Sequence, residues 1–206
     1  MVRLKRWTRL TGGVEVSPRR ERADAQRNRE AVLAAADRLF AASASPGGVS
    51  MDDVAAAAGV GKGTLFRRFG DREGLIQALM EKRIAPLREA VAEGPAPLGP
   101  ATPARERVPA LMAALLRFKL DNRHLALALE TGGGNSPYRA GHYTWWHTLL
   151  RDAVRGIPGA PDADFTAHAL LAAVRADLVE HLAGGEGAPP ERLEERLEAY
   201  VAKVLA

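Results

Sequence analysis

The stretch that decides the fold is residues 50–75, SMDDVAAAAGVGKGTLFRRFGDREGL. Ser50 offers a hydroxyl to cap a helix and Asp53 follows three residues later, the spacing of a capping box. A short helix over 51–58 is expected to stop at Gly59, and a second short helix to run from Lys62 to Phe69 and close at Gly70. Two helices joined this tightly need a small residue where they cross and a residue that tolerates positive φ in the turn. Ala55 and Gly59 meet those needs, while Val54, Val60, Leu65 and Phe69 are spaced to lock the pair with apolar contacts. This is the arrangement of a helix-turn-helix, in which the second helix enters the major groove and reads base edges with its N-terminal residues. Lys62 and Thr64 are expected to be exposed there. Lys can donate to guanine O6 and N7, and the Thr methyl can touch a thymine methyl. Arg67, Arg68 and Arg72 lie towards the phosphates. The stretch between Lys62 and Gly70 contains no acid.

Upstream, Val32, Leu33, Ala36, Leu39 and Phe40 recur at helical spacing and draw one apolar stripe. Before them, residues 1–22 show no periodicity and are rich in arginine, so they read as a disordered basic arm. Arg19 and Arg20 are its candidates for minor-groove contacts. Downstream, Asp71 is placed to cap a fourth helix carrying Leu75, Ile76, Leu79 and Met80. Pro86 lies within it, removing a backbone donor and crowding the Lys82 carbonyl, so a kink or break is expected. Residues 94–100, GPAPLGP, form the clearest loop. Five further helical segments are expected: from Thr102-Pro103, as cap and first turn, to about 121; 123–131; about 136–156, opened by Ser136-Pro137; 162–184; and 190–205. The expected architecture is therefore all-α with about nine helices. It divides into a basic arm (1–22), a helix-turn-helix DNA-binding domain (23–70) and a helical ligand-binding and dimerisation domain (71–206).

Composition agrees with this plan. Hydrophobic residues make up 47% of the 206 residues and aromatics only 5%, so the core rests on Ala, Leu and Val, which leans towards helices. Cysteine is absent, which removes disulfides, thiolate metal sites and Cys nucleophiles. No apolar run approaches the ~20 residues needed to cross a bilayer, and the basic N-terminus precedes no apolar signal segment. A soluble, cytoplasmic protein is expected. The net charge of +4 is unevenly placed: residues 1–74 hold 14 Lys and Arg against 9 Asp and Glu, a net of +5, and the remainder carries −1. Such an asymmetry is expected where one end meets a polyanion.

The stretch resembles the N-terminal region of the tetracycline-repressor (TetR) family. The residues that carry the resemblance are Ser50, Val54, Ala55, Ala58-Gly59-Val60-Gly61, Gly63-Thr64-Leu65-Phe66, Phe69, Asp71-Arg72-Glu73 and Leu75, and the likeness extends over about 25–80. It implies that Lys62, Gly63, Thr64 and Arg67 face bases, and that Ser50, Phe66, Arg68 and Arg72 lie near backbone phosphates. Phe66 stands where the family usually has Tyr, so a phenolic hydrogen bond to phosphate is lost. Arg68 and Arg72 replace the usual His and Lys and keep a cation. The resemblance further implies a C-terminal effector pocket, a homodimer, duplex DNA and a small-molecule effector as partners, no cofactor, and repression as the default outcome.

From the residues themselves, Phe118, Tyr138, His142, Trp145, Trp146 and Leu149 supply contact area, and Glu130, His142 or Asp177 could add the few polar groups of a pocket. Ordinary core packing is the alternative for each. Trp145 and Trp146 are adjacent and cannot face the same way. Residues 162–184 and 190–205 carry amphipathic stripes suited to a four-helix contact between two subunits. Pro86 then falls partway along the helix joining the two domains, where a hinge would act. Other chemistries find little support. Ala56 and Gly63 break the phosphate-loop pattern at both defining positions. His142 and His147 are five apart, on different faces of a helix, so no metal site is expected from that pair. No nucleophile arrangement points to an enzyme. Two alternatives stay open on the residues alone: a structural DNA-binding protein without a ligand, and an all-α enzyme or carrier with an incidental basic front.

Overall fold

A computed structural model describes residues 18–43, 48–132, 141–160 and 162–206, and among them there is no strand. Ten helices follow one another: α1 (Pro18–Ala42), α2 (Met51–Ala58), α3 (Lys62–Phe69), α4 (Arg72–Glu93), α5 (Ala104–Asp121), α6 (Arg123–Gly132), α7 (Gly141–Arg155), α8 (Ala163–Ala173), α9 (Ala176–Glu180, running on as a π turn to Gly185) and α10 (Pro190–Val204). The nine expected segments are all present in the described residues, the eighth being broken into α8 and α9. Much of the expected arm, Tyr138, the loop at 133–134 and the Ser136-Pro137 helix start lie outside the described residues.

Local chemistry sets the helix ends of the head. Ser50 caps α2 by accepting from Asp53 N at 3.1 Å, while Asp53 Oδ2 accepts from Ser50 N at 3.0 Å and from its hydroxyl at 2.6 Å. Those bonds to Ser50 hold the Asp53 carboxyl below its ordinary pKa. Gly59, at φ 65°, closes α2 in the left-handed conformation, and Val60 N reaches back to Ala55 O at 3.1 Å. This is the glycine-terminated C-cap expected of the turn. Asp71 caps α4 by accepting from Gly74 N at 2.9 Å.

Four boundaries differ from the sequence expectation. α1 begins at Pro18, so the first turn of a helix replaces the last part of the expected arm. Of the kink or break expected at Pro86, the break does not occur: α4 runs on past this exposed residue. Thr102 does not cap α5: extended Pro103 occupies the position before Ala104, leaving Thr102 one residue too far upstream, with a buried Oγ1 that has no partner among the described residues. The segment 162–184 breaks at Val174-Arg175, where no Gly or Pro warns of it. A tertiary contact holds the new helix start: Glu130 Oε2 of α6 accepts from Ala176 N at 2.8 Å.

Two apolar cores organise the chain. The body core joins Ile84 and Val91 of α4 to Leu111 and Leu115 of α5, Trp146 and Leu150 of α7, Leu170 of α8 and Leu193 and Val201 of α10. The head core gathers Val32, Ala36 and Phe40 of α1, Val54 and Ala55 of α2, Leu65 of α3, and Leu75 to Met80 of α4. It is completed from the body by Leu125 and Ala126 of α6 and Ala176 of α9. Phe118 packs against both cores. Arg83 of α4 adds a polar tie, donating to Asp37 of α1 at 2.5 Å and to the buried Asn122, between α5 and α6, at 2.5 Å.

Candidate nucleic-acid interface and effector site

α3 is anchored on one side and open on the other. Leu65 is 1% exposed against α2 and α4, and burying such a side chain stabilises the head by roughly 2 kcal/mol. Lys62, Gly63, Phe66, Arg67 and Arg68 are exposed, whereas Thr64, expected to be exposed, is half-buried. No side chain caps α3, whose N-cap is Gly61. Its first amides and the positive end of its dipole therefore favour an anion at that end. A Cβ added at Gly63 would meet nothing within 4 Å, so the backbone there is open to close approach by another molecule.

The cations of this face are held to different degrees. Lys62 Nζ pairs with Asp52 of α2, and both side chains remain largely in solvent. Arg67 has no ion-pair partner among the described residues. Arg68 donates to the Ala25 carbonyl of α1, which lays its guanidinium across the front of the head. Arg72 is half-buried, with Nε donating to Val49 O at 3.1 Å and the guanidinium 5.6 Å from the Phe40 ring centroid. It thus braces the entry to α2 against α1. Ser50, the last candidate of this set, is exposed beside it as the α2 cap.

The ligand candidates divide. Trp146 is buried in the body core, and Leu149 packs against it half-buried. Asp177 is exposed and engaged by Arg175 at 2.7 and 3.0 Å, and those bonds hold its carboxyl below the ordinary value. It does not join the others, because its place in the first turn of α9 faces solvent. Glu130, His142 and Trp145 do come together, around two cations that sequence reasoning missed. Lys119 of α5 pairs with Glu130, both side chains being largely buried (15% and 11% exposed). Arg88 of α4 lies 5.1 Å from the Trp145 ring centroid, and its buried Nε has no hydrogen-bond partner among the described residues. His142 titrates below the usual imidazole range, chiefly through burial; Glu130 opposes this, Lys119 and Arg88 add to it, and Glu81 opposes it. The signal for Lys119 was its place in an apolar run, between Phe118 and Leu120.

Aromatic side chains and several fixed charges thus meet in one region, the mixture of groups typical of a site for a partly polar small molecule. Among the described residues no helix is long and apolar enough to cross a membrane. A head with a basic, outward-facing second helix has the geometry of a helix-turn-helix.

Comparison with known proteins finds a family likeness in the head and a shared fold over most of the chain. Residues 32–79 match the family described as bacterial regulatory proteins, tetR family. An HTH-type transcriptional regulator of Staphylococcus aureus (strain MRSA252) is 34% identical over 71 residues, a match spanning 34% of this chain and 37% of that relative's length. Solved structures share the fold along most of the chain. A TetR-family transcriptional regulator from Rhodococcus sp. superposes with a TM-score of 0.64 at 22% identity, over 88% of this chain and 100% of its own. NalD of Pseudomonas aeruginosa, the secondary repressor of the MexAB-OprM multidrug efflux pump, gives 0.62 at 18% identity, over 89% and 98%. Residues 32–79 are thus similar to the tetR family of bacterial regulatory proteins, and the chain as a whole shares its fold with these solved structures.

Proposed function

We propose that the chain is an effector-responsive transcriptional repressor that binds a pseudo-palindromic operator as a homodimer and leaves it when a small molecule binds the body. The observation that carries this reading is the seating of α3. Its inner face is fixed by buried Leu65, and its outer face offers Lys62, Gly63 and Arg67 beside an uncapped helix start. Lys62 and Arg67 read base edges, with Thr64 at the edge of the contact. Ser50, Phe66 and Arg68 lie along the phosphates, and Arg72 supports them from behind.

Two-fold pairing runs through the last helices, residues 162–184 and 190–205. Leu178 and Tyr200 are exposed there, on the rim of an apolar groove of about 150 Å³ also lined by Leu116, Leu193 and Leu197. Pairing across this face would set the two α3 helices about 34–36 Å apart, or a multiple of that. The effector occupies the region of Phe118, Lys119, Glu130, His142 and Trp145. Glu130 also holds the start of α9, whose Ala176 belongs to the head core, so a ligand that draws Glu130 away biases the head. Pro86 serves as the hinge of α4, and Pro86→Ala is expected to alter effector-linked release more than DNA affinity.

Selection of bound oligonucleotides from a random duplex pool tests the reading. A palindromic consensus is expected, with Lys62→Ala relaxing preference at one position of each half-site and Arg68→Ala weakening all sites alike. Uniform recovery without a consensus, together with a steep salt dependence, would replace the repressor with a structural DNA-binding protein.

A further inference from the structure

Away from the head and the effector region, α7 and α8 bring together three side chains suited to a transition metal. His147 of α7 and Asp164 and His168 of α8 place one potential ligand atom each within 4.8 Å of one another. His147 Nε2 is 3.7 Å from Asp164 Oδ1, and His168 Nε2 is 4.0 Å from Asp164 Oδ2. The two imidazoles stack at 3.9 Å between centroids. Asp164 and His168 are four apart on one helix, so both fall on the same face, and His147 meets them across the helix pair. The sequence weighed His147 only against His142, which lies on another face of α7; the fold brings it to His168.

We propose that His147, Asp164 and His168 form a binding site for a divalent transition ion of the zinc class. Two neutral imidazoles and one carboxylate are the donor set that such ions favour, and three protein ligands leave a fourth position open to water. Tetrahedral bonds of ~2.0–2.1 Å put ligand atoms ~3.3 Å apart, so closure needs side-chain rotation of about an ångström and no helix movement. The surroundings suit the ion. Among the described residues no lysine or arginine pairs with Asp164, whose ionic neighbours are the two imidazoles. Tyr143 Oη lies 2.6 Å from His168 Nδ1. With Nδ1–H donating to that oxygen, the lone pair of Nε2 points towards Asp164, the outer-shell orientation that metal-bound imidazoles use. His147 is largely buried, with a side chain 13% exposed, while Asp164 is 58% exposed. The site thus has a fixed inner wall and a solvent-facing entrance.

The full-length chain, without an added histidine tag and after treatment with a chelator, is titrated with Zn²⁺ by calorimetry and with Co²⁺ by visible absorption. One ion per chain is expected, with an intense visible Co²⁺ band of tetrahedral type. Asp164→Asn sits on the surface and leaves the fold intact; it should weaken Zn²⁺ at least tenfold, as should Tyr143→Phe on the outer-shell rule of ~10–100-fold. His168→Ala should abolish the site, and His142→Ala should leave it unchanged. No Zn²⁺ uptake by the wild-type chain, a Co²⁺ spectrum without that band, or equal affinity in Asp164→Asn would each overturn the proposal. Operator binding is not part of the readout, so the metal site and the repressor reading stand or fall separately.

Discussion

Lys62 Nζ lies 2.5 Å from Asp52 Oδ2, so the foremost cation of the recognition helix is held by an acid of the helix before it. Both side chains are solvent-exposed, and such a pair contributes at most ~1 kcal/mol to folding. Its consequence falls on binding instead, because a base or phosphate must compete with Asp52, and Asp52 repels the backbone. Asp52→Asn should leave thermal stability nearly unchanged and tighten duplex binding several-fold at low salt, measured by fluorescence anisotropy. Unchanged or weaker binding would show that Lys62 does not meet the DNA.

Arg83 ties the head to the body by bonding Asp37 and Asn122 at once. Arg83→Gln keeps the length of the side chain and loses the charge. It is expected to leave operator affinity within about threefold while reducing the effector's influence on that affinity, a coupling typically worth ~1–3 kcal/mol. Anisotropy titrations with and without effector give both quantities from the same samples.

Glu130 has two partners, Lys119 and the Ala176 amide. Removing one member of a largely buried pair strands the other, at a cost of ~3–5 kcal/mol. Glu130→Ala should therefore unfold at markedly lower urea concentration. Glu130→Gln can still accept from the amide and should lose less. Equal losses in the two variants would mean that the α9 contact contributes nothing.

His142 adds a pH dependence of definite sign. Its folded pKa lies below the unfolded value of ~6.5, so below that pH the unfolded chain binds the extra proton. The stability from a neutral His142 is complete above pH ~6.5 and is lost as pH falls towards the folded pKa. Comparing urea midpoints at pH 7.5 and 5.5, the wild-type chain should lose more than His142→Asn. A loss of the same size in both would assign the acid sensitivity to other groups.

The proposed dimer face can be tested by charge. Leu178→Glu and Tyr200→Glu each put a carboxylate on an exposed part of the apolar groove, where a folded monomer tolerates it. Sedimentation should shift from dimer to monomer, with far-UV circular dichroism unchanged. A dimer that persists in both variants would move the interface elsewhere.

What could be read in advance was what the chain decides locally. Ser50, Gly59 and Asp71 end or begin helices through atoms within a few residues of themselves, so the helix-turn-helix was legible from the spacing. The break before Ala176 was not, because the acceptor that holds it comes from Glu130, far away in sequence. Thr102 misled for the opposite reason: it is a good capping residue, but Pro103 takes the position. Of the ligand candidates the structure brings Glu130, His142 and Trp145 together, and it adds Arg88 and Lys119, which the sequence did not single out. A cation on a helix face normally reads as solvated, and only packing between helices shows it turned inward. The same limit hid the approach of His147 to His168.

The dependence of the head on Leu125, Ala126 and Ala176 has a consequence for what the N-terminal third could do alone. Cut free of α6 and α9, it would keep its turn chemistry but bare an oily seam where those residues sat. The head is thus no detachable module on a stalk. It borrows part of its interior from α6 and α9, so a displaced α6 would leave the head short of the apolar neighbours that close its underside.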